Sequence, residues 1–395
     1  MSDQNWTPLL TGEDAKFAEE SITAIAEALP TAPPVNPYDK SGQVPDRDGA
    51  GLAGGTSGFA LWNTYLALAT GEERWAELAE KNLDEAVEEL ATYPMGASLY
   101  GGFSGVAWVT EHLQGRLFET EDGEDPNEEI DNALAELLTR PWNDTYDLIG
   151  GLVGFSAYSI ERAHRPSAAL VLERTVDQYA RMAEYQEGGL ITWFTPPEQL
   201  PPHQLEVSPN GYYNLGVAHG MPGVIAALAG TWAAGVAREK VEPLLEGAVR
   251  WLLANQLPET FHSRFAYSIS PGVTEPSPSR LAWCYGDLGV AAALLYAARS
   301  VGRDDWAQAA IEVGLGCAAR DRSTGGAQDA GVCHGAMGVA HLFNRLWQGT
   351  RDERFADAAR AWFRDGFAMR KPGEGVGGYP SWFGGFNDGP GWVNS

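Results

Sequence analysis

Two kinds of hydrophobic pattern alternate along the chain. In Val224–Ala234 and Val290–Ala298 the residues are apolar nearly all round, which predicts helices buried on every side. In Arg74–Leu90 apolar side chains recur at helical spacing with acidic residues opposite them, which predicts an amphipathic helix with one solvent face. The apolar positions of this second pattern are Trp75, Ala79, Leu83, Ala86, Val87 and Leu90. The chain is therefore predicted to be all-α, with inner and outer helices.

Glycine-rich turns precede the buried runs and repeat along the chain. Each turn contains a G-x-x-G core, and the first glycines of these cores are Gly55, Gly102, Gly151, Gly220, Gly286 and Gly335. Their successive separations are 47, 49, 69, 66 and 49 residues, and a blurred seventh copy lies around Gly385. A period of this size indicates a repeat architecture. About 50 residues accommodate two helices, joined by a turn in which glycine accepts positive φ and lets backbones approach closely.

We predict a single domain over residues 1–395, an α/α toroid of about seven helical hairpins, with an open solenoid as the alternative. Irregular or small β excursions are expected near 186–214 and 258–280, because the two longest intervals contain proline-rich and non-helical stretches. Residues 30–50 are predicted to be irregular. The acidic stretch Glu119–Asp131 is predicted to be a solvated loop.

Charge and cysteine content narrow the function classes. The 395 residues include 53 acidic and 27 basic side chains, a net charge of −26, which argues against binding to nucleic acid or to anionic lipid. Only three cysteines are present and no secretory signal is visible, so a reducing cytoplasm is expected. Leu215–Ala237 has no charged residue but contains five glycines and a proline, and we interpret it as a loop leading into a buried helix rather than a membrane span.

Two cysteines occupy the same slot, that is, the same position counted from the first glycine of the core, in neighbouring repeats. Cys284 and Cys333 each lie two residues before the first glycine of a core, and His334 follows Cys333. Equivalent slots in a ring of hairpins converge, so these three side chains are expected to meet. Thiolate and imidazole suit Zn²⁺, and three protein ligands leave the fourth position open, as in catalytic zinc sites. The alternative is a pair of buried cysteines beside a hydrogen-bonded histidine, and Cys317 is predicted to be such a core residue.

Further polar candidates surround the same turns. His219 occupies the slot of His334 and is favoured as an acid/base, with a fourth metal ligand or a hydrogen-bonded polar group as alternatives. Asp147 lies four residues before Gly151. It either orients a histidine, accepts a proton or caps a helix. Arg280 either balances an anionic centre, binds a developing oxyanion or forms a surface ion pair, and Tyr285 fills the slot between the two histidines. The histidines without a matching slot are predicted to be structural: His112, His164, His203, His262 and His341.

Three sequence blocks carry a family resemblance: GYYNLGVAHGMPG, SRLAWCYGDLGV and GVCHGAMGVAHLF. Together with YDLIGGLVGF they resemble the lanthionine synthetase C-like family, the lanthipeptide cyclases, over nearly the whole chain. The resemblance implies an α/α toroid with Zn²⁺ at one end, held by Cys284, Cys333 and His334. It places His219 and Asp147 at acid/base positions. Arg280 and Tyr285 match other active-site positions of the family.

The implied reaction is the addition of cysteine thiols to dehydroalanine or dehydrobutyrine within a dehydrated precursor peptide, which forms lanthionine or methyllanthionine thioethers of a lantibiotic. A dehydratase and an exporter are the candidate partners in a complex. Three alternatives stay open from the residues: addition of glutathione or another small thiol to dehydro residues in modified proteins, a sugar-active toroid with two facing carboxylates, and a docking protein whose zinc has four protein ligands. The last block, WFGGFNDGPGWVNS, departs from the family pattern where the final inner helix is expected.

Overall fold

The structure is a computed structural model that describes residues 6–29, 49–118, 125–383 and 391–393. Helices dominate these residues, as the hydrophobic patterns predict. They are α1 (Gly12–Ala28), α2 (Thr56–Thr70), α3 (Glu73–Thr92), α4 (Phe103–Leu113), α5 (Glu128–Leu137), α6 (Leu152–Glu161), α7 (Pro166–Met182), α8 (Pro202–Leu205), α9 (Met221–Ala233), α10 (Arg238–Ala254), α11 (Asp287–Val301), α12 (Asp304–Ala318), α13 (Arg322–Gly325), α14 (Ala336–Thr350) and α15 (Glu353–Ala368). No helix of the described part is both long enough and apolar enough to cross a membrane.

Six short strands form three antiparallel pairs. They are β1 (Glu184–Gln186), β2 (Leu190–Thr192), β3 (Tyr213–Asn214), β4 (Ser268–Ile269), β5 (Ser381–Phe383) and β6 (Gly391–Val393). β1 pairs with β2, β3 pairs with β4 through Tyr213 opposite Ile269, and β5 pairs with β6. The first two pairs lie in the two long intervals between glycine cores. The seventh copy around Gly385 lies in 384–390, outside the described residues, as do residues 30–48.

The chain divides into two compact units. Unit 1 comprises Met1–Val44, Phe194–Pro222 and Val249–Ser395, and unit 2 comprises Pro45–Trp193 and Gly223–Ala248. In unit 2 α2 packs on α3 and α6 packs on α7, while α5 packs mainly on α7 and α4 lies between α2 and α6. In unit 1 they pair as α11 with α12 and α14 with α15, and α1 packs on α15 with the rings of Phe17 and Phe367 4.9 Å apart. The single domain over 1–395 stays a prediction.

Burial separates the two kinds of helix. In α11 the buried residues run round the helix from Asp287 to Ala298, as expected for an apolar run. In α3 the buried stripe is Trp75, Ala79, Asn82 and Ala86. Val87 is 46% exposed, although the pattern places it on the stripe. Its direction is about 100° from that of Ala86, which takes it off the narrow face that packs.

Close backbone approach explains the glycine cores. A Cβ at Gly102 would overlap the carbonyl oxygen of Gly96, six residues earlier, and a Cβ at Gly286 would overlap that of Arg280 in the same way. The φ of Gly102 is −122° and that of Gly286 is 172°, both extended. Positive φ is therefore not the reason for these glycines; the reason is the contact between the turn and the start of the helix.

The acidic stretch Glu119–Asp131 is not simply a solvated loop. Residues 119–124 lie outside the described part, but α5 begins at Glu128 and Asp131 is completely buried. Asp131 accepts hydrogen bonds from the guanidinium of Arg162, which is itself completely buried. The prediction for 125–131 is wrong because a run of acids does not reveal that a single distant arginine neutralises part of it.

Candidate metal centre

Backbone hydrogen bonds join the glycine turns of unit 1 to one another. The Ala218 amide donates to the carbonyl of Cys284, at 3.4 Å, and the Trp283 amide donates to the carbonyl of Cys333, at 3.0 Å. The turns before α9, α11 and α14 therefore lie side by side. This contact is what brings equivalent slots of successive repeats together.

Cys284, Cys333 and His334 form the cluster that the shared slots predict. Their ligand atoms all lie within 4.8 Å of one another, and the Sγ of Cys284 is 3.9 Å from Nδ1 of His334. A tetrahedral zinc ion with bonds of about 2.3 Å to sulfur and about 2.0 Å to nitrogen holds its ligand atoms roughly 3.5–3.8 Å apart. The cluster therefore fits a metal ion with only small adjustments. Cys284 is buried, His334 is half-buried and Cys333 is exposed, so the cluster is open on the side of Cys333.

The two cysteines differ in how readily they ionise. A hydrogen bond from the Cys333 thiol, with help from His334 and the Arg280 guanidinium, lowers the pKa of Cys284 despite its burial. The Nη2 of Arg280 lies 3.9 Å from the Cys284 sulfur. The pKa of Cys333 is raised, because the Cys284 sulfur accepts its proton in that hydrogen bond. Cys284 is therefore the thiol that ionises more readily, and a thiolate is a ready metal ligand.

His219 and Tyr285 lie together beside the cluster. Their rings are stacked, with centroids 5.8 Å apart and an interplanar angle of 27°. Among the described residues the group able to hold a metal consists of Cys284, Cys333 and His334, without His219. This arrangement favours the open coordination position over a fourth histidine ligand.

Two amide side chains hold the Tyr285 hydroxyl. Nδ2 of Asn214 donates to it at 3.4 Å, and Gln204 also forms a hydrogen bond with it. Oε1 of Gln204 accepts in turn from the Tyr212 hydroxyl at 2.8 Å. Burial raises the pKa of Tyr285. Its phenol therefore keeps its proton at neutral pH and can serve as a hydrogen-bond donor.

The segment that carries Arg280 is fixed from both sides. The Leu281 amide donates to the carbonyl of Gly325 at 2.7 Å, and the Arg320 guanidinium donates to the carbonyl of Ser279 at 2.9 Å. The carboxylate of Asp287 accepts from the Ser279 hydroxyl at 3.2 Å and from the amides of residues 264 and 265. The backbone on both sides of Arg280 is therefore held in place, with its guanidinium beside the Cys284 sulfur.

Asp147 belongs to unit 2, in the turn before α6. It is buried, and its Oδ1 accepts from the Gly150 amide at 2.8 Å. This bond stays within the turn, and the N-cap of α6 is Gly151 rather than Asp147. A role for Asp147 in proton transfer stays a prediction.

Sequence reasoning missed the residues that support the cluster. Asn214 and Asp329 each lie six residues before the first glycine of a core, the slot that Arg280 fills between them. The Asp329 carboxylate accepts from the amides of Gly331, at 2.9 Å, and Trp382, at 2.8 Å, and so fixes the loop that carries Cys333. Comparing the position of Arg280, six residues before the core glycine, across the repeats would have identified both. Cys317 is a buried core residue of α12, as predicted, and burial raises its pKa.

The fold is shared with a solved protein described as nisin cyclase. The TM-score is 0.67 at 19% sequence identity, and the match covers 87% of this chain and 84% of that chain. This likeness confirms the predicted fold class, an all-α α/α toroid. The sequence model of the family described as lanthionine synthetase C-like protein matches residues 47–371. The chain therefore belongs to the lanthionine synthetase C-like family.

Proposed function

We propose that this chain is a zinc-dependent lanthipeptide cyclase, which adds cysteine thiols to dehydroalanine or dehydrobutyrine within one dehydrated precursor peptide. The observation that supports it most is the approach of Cys284, Cys333 and His334 to within bonding range of one ion, with one side open. Family membership and the likeness to nisin cyclase supply the reaction class.

Zinc is the metal that two thiolates and an imidazole suit best. When bound to Cys284, Cys333 and His334, it would supply Lewis acidity that favours an incoming thiol in its thiolate form. The cationic Arg280 lies beside the Cys284 sulfur and offsets the negative charge of the thiolates.

The remaining residues would manage protons and charge on the substrate. The thiol sulfur forms a bond to Cβ of the dehydro residue while the Cα–Cβ π bond breaks, and negative charge develops on the neighbouring amide oxygen. The Arg280 guanidinium and the Tyr285 hydroxyl are donors suited to that oxygen. His219 would then deliver a proton to Cα. One S–H and one π bond are exchanged for one C–S and one C–H, so the peptide's mass does not change.

A dehydrated cysteine-containing peptide tests the proposal directly. With the zinc-loaded chain, free thiol is expected to disappear while the peptide's mass stays constant. Cys284→Ala is expected to abolish both stoichiometric zinc binding and ring formation, whereas Cys317→Ala, the matched control, keeps both. His219→Gln is expected to retain zinc and to slow ring closure by about 10²-fold or more, the usual contribution of a general acid.

Three outcomes would contradict parts of the proposal. Ring formation by metal-free protein would refute the zinc site as the catalytic centre. Zinc loss in His219→Gln would make His219 a ligand. Addition of glutathione, seen as an increase in mass in preference to ring closure, would favour the small-thiol alternative.

A further inference from the structure

Three polar side chains in unit 2 occupy equivalent positions in three repeats. These positions lie near the far ends of the buried helices, opposite the glycine turns. Tyr65 lies ten residues after Gly55, His112 ten after Gly102 and Glu161 ten after Gly151. They stand on α2, α4 and α6, towards the ends opposite to the glycine turns. Because the slot is the same in three successive repeats, the side chains become neighbours.

The three side chains form a hydrogen-bonded chain. Oε1 of Glu161 lies 2.8 Å from Nδ1 of His112, and Nε2 of the same ring lies 2.8 Å from the hydroxyl of Tyr65. The imidazole is stacked on the indole of Trp108, with ring centroids 4.6 Å apart at 14°. Tyr65 is 47% exposed, so the chain of hydrogen bonds ends in a phenol that reagents can reach.

The direction of the hydrogen bonds follows from the carboxylate. The hydrogen bond from His112 lowers the pKa of Glu161, so Glu161 is ionised at neutral pH and only accepts. A neutral His112 must then carry its proton on Nδ1. In this neutral form Nε2 accepts from the Tyr65 hydroxyl, and the arrangement is that of a nucleophile, a base and a group that orients the base.

We propose that Tyr65 is an activated nucleophile and a second reactive site of this chain, open to covalent modification by activated acyl and sulfonyl groups. The phenol oxygen attacks the acyl carbon or the sulfur and a C–O or S–O bond forms, while His112 takes the phenol proton. The bond to the leaving group breaks, and the leaving group departs with that proton by way of solvent. Glu161 stabilises the imidazolium in between. This inference is independent of the proposed cyclase activity.

Two other tyrosines of unit 2 distinguish activation from simple accessibility. Tyr93 is 67% exposed and Tyr185 is 63% exposed, both more than Tyr65. The Tyr185 hydroxyl donates to the carbonyl of Ala180, at 3.1 Å, and not to a base. Accessibility alone therefore predicts that Tyr65 reacts more slowly than both, whereas activation by His112 predicts that it reacts first.

The test is site-resolved labelling of the full chain at neutral pH with a phenylsulfonyl fluoride and, in parallel, with N-acetylimidazole. Peptide mass mapping over time gives one rate for each tyrosine. The Tyr65 rate is expected to exceed those of Tyr93 and Tyr185 by at least about 10²-fold, the lower end of what a positioned base contributes. Equal or slower labelling of Tyr65 in the wild-type chain would overturn the proposal without any variant.

Variants then assign the activation. His112→Gln keeps a hydrogen-bonding side chain but removes the base, and is expected to bring the Tyr65 rate down to that of Tyr93. His164→Gln, on an exposed neighbouring histidine, is the matched control and should leave the Tyr65 rate unchanged. A folded His112→Gln chain with undiminished Tyr65 labelling would refute the role of His112. Folding is checked by helical circular dichroism and by the labelling rates of Tyr93 and Tyr185.

Discussion

The glycine turns of the two units have the same backbone contacts and different side chains. In unit 2 the Ala53 amide donates to the carbonyl of Tyr100, and the Tyr100 amide donates to that of Ile149. Ala218 makes the corresponding bond to Cys284 in unit 1. The slot before the core glycine holds glycine three times in unit 2, at Gly54, Gly101 and Gly150, and holds His219, Tyr285 and His334 in unit 1. The repeat thus fixes the position of each side chain. The two residues before the core glycine then decide whether a turn presents metal-ligating or catalytic groups.

At the far helix ends, opposite the glycine turns, it is unit 2 that carries the polar side chains. In unit 2, Arg162 lies fully buried at the end of α6, where it binds Glu111, Asp125 and Asp131, and the Tyr65–His112–Glu161 chain lies in the same set of helix ends. These polar clusters therefore lie at the turns in unit 1 and at the far helix ends in unit 2. A buried cluster of this kind is costly to disturb, whereas the turn position held by Gly101 should tolerate a new side chain. Gly54 differs, because its φ of 89° disfavours any residue but glycine.

The largest expected effect comes from breaking the buried cluster of unit 2. Arg162→Met fills the space but leaves three acids without their cation, and should lower the free energy of unfolding by about 3–5 kcal/mol. Lys81→Met, which removes an exposed partner of Glu85 on α3, is the control and should cost less than about 1 kcal/mol. Urea denaturation followed by helical circular dichroism gives both values. A loss of less than 1 kcal/mol in Arg162→Met would show that the cluster is not important for stability.

Two adjacent glycines sharpen the comparison of the turns. A Cβ at Gly102 would overlap the backbone of Gly96 and Ser98, whereas a Cβ at Gly101 would meet only Ser98 Oγ, at 3.9 Å. Gly102→Ala should therefore cost about 2–3 kcal/mol, since backbone must move. Gly101→Ala and Gly101→His should change stability by less than about 0.5 kcal/mol.

Thermal and urea denaturation of the three glycine variants measure these differences. Equal destabilisation by Gly101→Ala and Gly102→Ala would mean that the slot before the core glycine is not open in unit 2. The presence of histidine or tyrosine in unit 1 would then require a different backbone there.

The repeat made the cluster predictable, because slot counting needs only the sequence. It identified Cys284, Cys333 and His334 and placed His219 next to Tyr285. The same counting, carried ten residues forward, would have connected Tyr65, His112 and Glu161. His112 was predicted to be structural only because the slots were compared at the turns.

Other contacts cannot be predicted by comparing equivalent positions of the repeats. Gln204 binds Tyr285 from α8, a short helix in a proline-rich interval that follows no repeat. Arg162 binds acidic residues that lie 31 to 51 residues away in the chain. A run of charged residues does not show which distant side chain will pair with it. The bond from Trp382 to Asp329 depends on a segment that leaves the helical pattern altogether.

The smallest expected effect is a pH dependence of the free energy of unfolding. It arises from Glu161, at the far helix ends of unit 2. The hydrogen bond from His112 holds the folded-state pKa of Glu161 below its unfolded value of about 4.3. Its contribution to stability is therefore present above that pH and is lost as the pH falls through the folded-state pKa. Glu161→Gln should be less stable than the wild type by about 0.5–1 kcal/mol at pH 6, and the difference should shrink towards zero below pH 4. Urea denaturation between pH 6 and pH 3 measures it, with Glu85→Gln as the control for loss of one charge. A difference that stays constant across this range would mean that Glu161 does not gain its low pKa from His112, and the far end of unit 2 would then be polar without being coupled.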